Sequence, residues 1–331
     1  MQPLLEARRL GVTFEVAAGL FRRALPLQAL EDVSFAVDAG ETLGIVGESG
    51  SGKSTLARAV LQLTKVTAGD VIWRGQSMGA LDAARLRATR RELQPVFQDP
   101  RSSLDPRMTI GEGVAEPLSV TGATRDREDE RVIRALERVG LSAALRHRYP
   151  HELSGGQCQR AAIARALVSN PALLVCDEPV SALDVSVQAQ IINLLRTLRD
   201  QLGLAMLFVS HNLAVVRYVS SRIMVLYLGR VMETAPNSEL YARPLHPYTR
   251  ALLAAIPDPF KPRGDLRTAV TRADPPSAFN RPSGCEFRTR CPFAIGLCAE
   301  QRPPLEEVEQ GRWVACHRWR EVAGLPPVQN G

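Results

Sequence analysis

Apolar and polar positions alternate, then run continuously apolar, between Leu30 and Gly47. VSFAV reads as a strand with one buried face, DAGE as a turn, and TLGIVG as a buried strand ending on glycine. From Lys53 the spacing predicts a helix with Leu56, Val60 and Leu63 on one face. ELQPVFQ reads as a strand ending at Gln98, and the stretch from Asp99 to about Arg165 as helical. Within it Val132, Leu136 and Val139 form one stripe that stops at Gly140. ALLVCDEP is an apolar run ending in two carboxylates, VQAQIINLLRTLRDQLG is an amphipathic helix closing on Gly203, and AMLFVSH is another buried strand. RIMVLYLGRVMETA reads as a hairpin turning at Gly229 and Arg230. Strands alternating with helices predict a parallel sheet covered on both faces. After about Pro236 the texture becomes proline-rich and loop-like, which predicts a separate appendage.

Composition adds little to this picture beyond exclusions. The 331 residues are 45% hydrophobic and 23% charged, which is ordinary globular usage and rules out a wholly disordered chain. A net charge of +6 is compatible with nucleic acid, acidic lipid or nucleotide phosphates and selects none of them. No apolar run reaches the roughly 18–20 residues of a membrane span, and MQPLLEARRL lacks the pattern of a secretory leader. The expectation is a cytosolic protein. Four of its six cysteines, Cys285, Cys291, Cys298 and Cys316, crowd towards the end, which in such a compartment favours metal over disulfides.

The candidate chemistry begins at Gly47-Glu48-Ser49-Gly50-Ser51-Gly52-Lys53-Ser54, followed by Thr55, which fits G-x-x-x-x-G-K-[ST] between an apolar strand and an amphipathic helix. Glycines let the backbone curl so that successive N–H groups face one anion, and the helix adds the positive end of its dipole. Lys53 can then reach the β- and γ-phosphates, and the Ser54 hydroxyl can ligate Mg²⁺. Asp177 and Glu178 end an apolar strand at the place where a doubly wound sheet opens. In that position Asp177 would hold magnesium through water and Glu178 would polarise the attacking water. Ser154 caps a helix whose first turn is Gly155, Gly156 and Gln157, a second patch of bare backbone amides suited to an anion.

Leu153-Ser154-Gly155-Gly156-Gln157, the phosphate loop, Gln98, Asp177-Glu178, Ser181-Ala182-Leu183-Asp184 and His211 occur in an order that resembles the nucleotide-binding subunit of an ABC transporter over roughly residues 4–235. The resemblance implies an α/β fold: a P-loop (RecA-like) nucleotide-binding domain over 1–235, with a helical subdomain at about 99–165. It also implies head-to-tail dimers in which each ATP lies between one subunit's phosphate loop and the other's LSGGQ helix. Gln98 would sense Mg²⁺ and the γ-phosphate, His211 would contact the γ-phosphate, Asp184 would communicate across the dimer, and Phe14 would stack on adenine. Phe21 lies in the same stretch as Phe14. Cys158 stands where the family often carries a polar residue.

Tyr149-Pro150-His151-Glu152, the run from Asp177 to Val187, and His246-Pro247-Tyr248-Thr249-Arg250-Ala251-Leu252-Leu253 resemble the dipeptide/oligopeptide importer ATPases, particularly the second of their two paired subunits. This implies a peripheral subunit on the cytoplasmic face of the inner membrane. Its partners would be a homologous ATPase in a heterodimer, two membrane permeases and an extracytoplasmic substrate-binding protein, with no nucleic acid. Nickel and glutathione importers share the subfamily, and a soluble, non-transport ATPase is a further alternative. The extension 236–331 resembles that of these ATPases, where four cysteines can hold a [4Fe–4S] cluster. Four thiolates also suit zinc, although no C-x₂-C pair is present, and unligated thiols are the third possibility. Arg288, Arg290 and Arg318 could offset a cluster's negative charge.

Overall fold

The computed structural model describes residues 2–16, 24–99, 103–118, 125–256, 276–326 and 328. Phe21 and most of the proline-rich segment after Ile256 lie outside them. Two sheets carry the fold. The first is antiparallel, in the order β2 (Leu25–Val37), β1 (Leu5–Val16), β4 (Ala68–Trp73) and β5 (Gln76–Ser77). The second contains a parallel core of β6 (Leu93–Val96), β7 (Leu173–Asp177), β8 (Ala205–Val209), β3 (Thr42–Val46) and β9 (Arg222–Tyr227). It continues antiparallel through β10 (Arg230–Pro236), β12 (Arg312–Val314) and β11 (Glu306–Glu309). The stretch after Pro236 therefore adds two strands to the same sheet.

The parallel strands read as continuous apolar runs because both faces are covered. Side chains alternate between faces with period two, and the two cores follow that alternation. Leu173 and Val175 of β7, with Leu207 and Val209 of β8, join the core beneath the antiparallel sheet and α1 (Lys53–Val60), against which Leu86 of α2 (Ala83–Arg90) also packs. Leu174 and Cys176, with Met206 and Phe208, join the opposite core. That second core is shared with α3 (Ile110–Ala115), α4 (Arg125–Arg138), α5 (Gly155–Leu167), α6 (Val185–Leu202) and α7 (Leu213–Val219). The 99–165 stretch is thus a set of short helices rather than one. Among the described residues no helix is long and apolar enough to cross a membrane.

One local expectation fails. Leu63 is exposed because α1 ends at Val60 and the chain turns at Gln62, which has a positive φ of 55°. The stripe of Val132, Leu136 and Val139 is buried as its spacing predicts, and Gly203 closes α6 in the left-handed conformation.

Candidate active site

The phosphate loop connects β3 to α1, at the carboxyl end of the parallel strands where an open α/β sheet binds its ligands. Gly52 has φ +100° and lies where an added Cβ would meet the Ala29 carbonyl at 2.7 Å, so both conformation and space demand glycine. Lys53 is buried. Its ammonium donates to the carbonyls of Gly47 and Glu48, both at 2.8 Å, which wraps the loop around it. Burial lowers its pKa, opposed by the nearby carboxylates of Glu178, Asp177 and Glu48.

Ser54 and Asp177, 123 positions apart, meet: the Ser54 hydroxyl donates to Asp177 Oδ1 at 2.9 Å. Asp177 ends β7 almost fully buried. That burial raises its pKa, and the hydrogen bond from Ser54 works the other way. A hydroxyl and a carboxylate brought together beside the phosphate loop are hard oxygen donors of the kind Mg²⁺ takes, so this pair fits the ion. Glu178 turns out of the strand with φ +50°; its N–H donates to the Val209 carbonyl at 3.0 Å and its carbonyl accepts from Ser181. The same turn brings its carboxylate to His211, Nδ1 to Oε1 3.1 Å. Two strands adjacent in the sheet, β7 and β8, therefore deliver this pair.

Glu48 is used differently from the rest of its loop. Its N–H donates to Tyr248 Oη at 2.9 Å, and its carboxylate receives both terminal nitrogens of Arg290, at 2.7 and 2.9 Å. Motif reading cannot find this arrangement, because the partners lie 200 and 242 residues away. Arg290, expected beside the cysteines as a charge offset, is instead buried against the phosphate loop. Ser49 and Gly50 are exposed, Ser51 is buried and Thr55 half-buried.

The second anion cradle has the expected cap. Ser154 Oγ accepts from the Gln157 N–H at 3.3 Å, and Gln157 Oε1 accepts from the Ser154 N–H at 3.0 Å, a reciprocal capping box. Gly156 has a packing reason as well, since a Cβ there would meet Val187 of α6 at 2.7 Å. Asp184 caps α6 by position only, without a side-chain bond, and next to it Val185 is 82% exposed. Gln98 is exposed two residues beyond β6, and Phe14, opposite Leu27 on β1, is 38% exposed. Cys158 is buried, its thiol donating to the Pro150 carbonyl at 3.4 Å.

Cys285, Cys291, Cys298 and Cys316 line one cavity of about 10 Å³, together with His246, Phe287 and Arg318. All four thiols are free, and burial pushes Cys285 and Cys316 up to about 12. The residue chemistry is that of a thiolate site, yet the cavity has room for one water at most. Among the described residues no three His, Cys, Asp or Glu side chains are grouped to hold a metal ion. The expected four-cysteine cluster site is therefore not assembled in this form.

Known proteins match this chain in sequence over nearly its whole length. The ABC transporter family model matches residues 30–181, and that of the oligopeptide/dipeptide transporter C-terminal region matches 232–298. The oligopeptide transport ATP-binding protein OppF of Escherichia coli is 49% identical, with 92% of each chain covered. OppF of Haemophilus influenzae is 47% identical, covering 95% of this chain and 96% of its own. The chain belongs to the ATP-binding subunits of ABC transporters. A solved ABC structure, the dimeric cassette MJ0796 in a post-hydrolysis state with ADP and Pi, is 31% identical over 70% of this chain with a TM-score of 0.63. Membership makes the chain an ABC-type ATPase, of the branch that carries the oligopeptide/dipeptide C-terminal region.

Proposed function

We propose that this ABC ATPase drives uptake of dipeptides or oligopeptides through two membrane permeases fed by an extracytoplasmic binding protein. The reading rests above all on one observation: Lys53, the Ser54–Asp177 pair and the Glu178–His211 pair converge beside a single loop. Lys53 would exchange its loop carbonyls for the β- and γ-phosphates. Ser54, Asp177 and Gln98 would hold Mg²⁺, which supplies charge neutralisation between the phosphates when bound. Glu178 would take the proton of the attacking water while His211 fixes its carboxylate and faces the γ-phosphate. Phe14 would carry the adenine.

The capped Gly155–Gly156 turn would close on the nucleotide of a second, homologous ATPase subunit, with Asp184 at the junction. The dimeric state of MJ0796 and the OppF relatives support that arrangement and the peptide cargo. The subunit would lie peripherally on the cytoplasmic face of the inner membrane. Purification from detergent-solubilised membranes tests the assembly. Two multi-spanning proteins and a second ATPase should accompany the chain, whereas nucleic acid alone would refute transport. Vesicles holding that complex should take up labelled peptide with ATP, and uptake of nickel or glutathione instead would overturn the cargo.

For the four cysteines we propose a [4Fe–4S] cluster, supported by the donor set alone: four free thiols around one cavity. The cavity would have to open to admit it. Anaerobically reconstituted protein should be brown, with iron and acid-labile sulfide in equal amounts, and a C285S/C298S variant should lose both. Colourless, iron-free protein after reconstitution would remove the cluster.

A further inference from the structure

Three segments far apart in sequence meet around one residue of the phosphate loop, Glu48. Arg290, only 5% exposed, gives a bidentate pair to Glu48 and lies with its guanidinium carbon 5.9 Å from the Tyr227 ring centre and 5.8 Å from that of Phe287. Tyr227, Tyr248 and Phe287 pack on one another with ring centres 4.7–5.4 Å apart, and Tyr248 also accepts the Glu48 N–H. A forked guanidinium on a carboxylate fixes direction as well as distance, and a rigid aromatic floor leaves the fork few other orientations. On its other side Glu48 offers its carbonyl to Lys53. Glu48 is thus the residue through which the loop is tied both to its lysine and to the C-terminal extension.

We propose that Arg290 is a positioning residue of the ATP site, holding the phosphate loop in its anion-binding shape through Glu48. It touches no phosphate. Its effect is to pre-order a loop whose ordering would otherwise oppose nucleotide binding. The inference rests on residues 47–54 being the phosphate site.

The test is titration of the full chain with a fluorescent ATP analogue and Mg²⁺, reading Kd and the fraction of binding-competent protein separately. A charge-assisted pair of this kind predicts that R290A and E48Q each raise Kd by about tenfold at unchanged binding stoichiometry. The R290A/E48Q double variant should be no worse than either single change, because both remove one interaction. R290K should recover only part of the loss. A merely structural role would lower the competent fraction and leave Kd alone, and that result overturns the proposal. So does wild-type Kd in E48Q, which keeps the shape of the side chain and settles the matter if R290A does not fold. K53A separates the two readings: if it binds nucleotide normally, the phosphate-loop assignment fails; if it abolishes binding while R290A and E48Q do not change Kd, only the present inference fails.

Discussion

Glu178 holds a backbone conformation that a residue with a Cβ adopts at a cost of roughly 1–2 kcal/mol. The bond from its N–H to Val209 and the contact of its carboxylate with His211 hold it there, and the result is a carboxylate aimed away from the strand that produced it. In the proposed role, removing its basicity and keeping its shape should leave nucleotide binding intact. E178Q should bind ATP with near-normal affinity and hydrolyse it at least about 100-fold more slowly, measured as phosphate release by the assembled complex. Normal turnover would take Glu178 out of that role. At this scale the sequence was informative where chemistry is local: the glycine-lysine loop, the strand-end carboxylates and the Ser154 cap are each contained within a few residues. It was silent on the pairing of Glu48 with Arg290, since an ion pair spanning 242 positions leaves no periodic trace.

Elements were legible in proportion to how evenly they are buried. β3, β7 and β8 are buried at every position and stand out as apolar runs between turns. β1 escaped notice because three register shifts against β2 break its alternation, and β4 because its first half is exposed. The packing of α7 on β3 rests on Gly44, where a Cβ would meet Ser220 Oγ and Val216 Cγ1, both at 2.4 Å. Neither atom can retreat far in a filled core, so G44A should destabilise the chain by about 1–3 kcal/mol, read from its urea midpoint at unchanged slope. An unchanged midpoint would mean that α7 can lift from the sheet. The capping box of α5 makes a smaller demand. S154A should cost about 1 kcal/mol in the isolated subunit, measured in the same way, before any effect on partner nucleotide is counted.

At the scale of the whole molecule, the C-terminal region is joined to the first sheet by charge and to the second by strand pairing. Glu31 of β2 receives Arg281 at 3.0 Å, Arg302 at 2.7 Å and Arg230 at 3.2 Å. Glu286, its side chain 2% exposed, receives Arg302 at 3.0 Å and Arg230 at 3.7 Å. Two carboxylates thus bridge three guanidiniums drawn from β10 and from the region beyond residue 276. With β12 hydrogen-bonded to β10 beside them, the region after Pro236 should unfold together with the sheet and not before it. Once Trp73 of β4 is changed to Phe, fluorescence from Trp313 and Trp319 reports on this region, while circular dichroism reports on the whole chain. The two urea transitions should coincide in this otherwise wild-type chain, and E286Q should move both to lower urea, a loss of about 2 kcal/mol from leaving Arg230 with Glu31 alone, with solvent screening reducing the loss at Arg302. An early fluorescence transition separate from the dichroism would show that the extension melts alone, and would deprive the Glu48–Arg290 tie of the rigid support it needs.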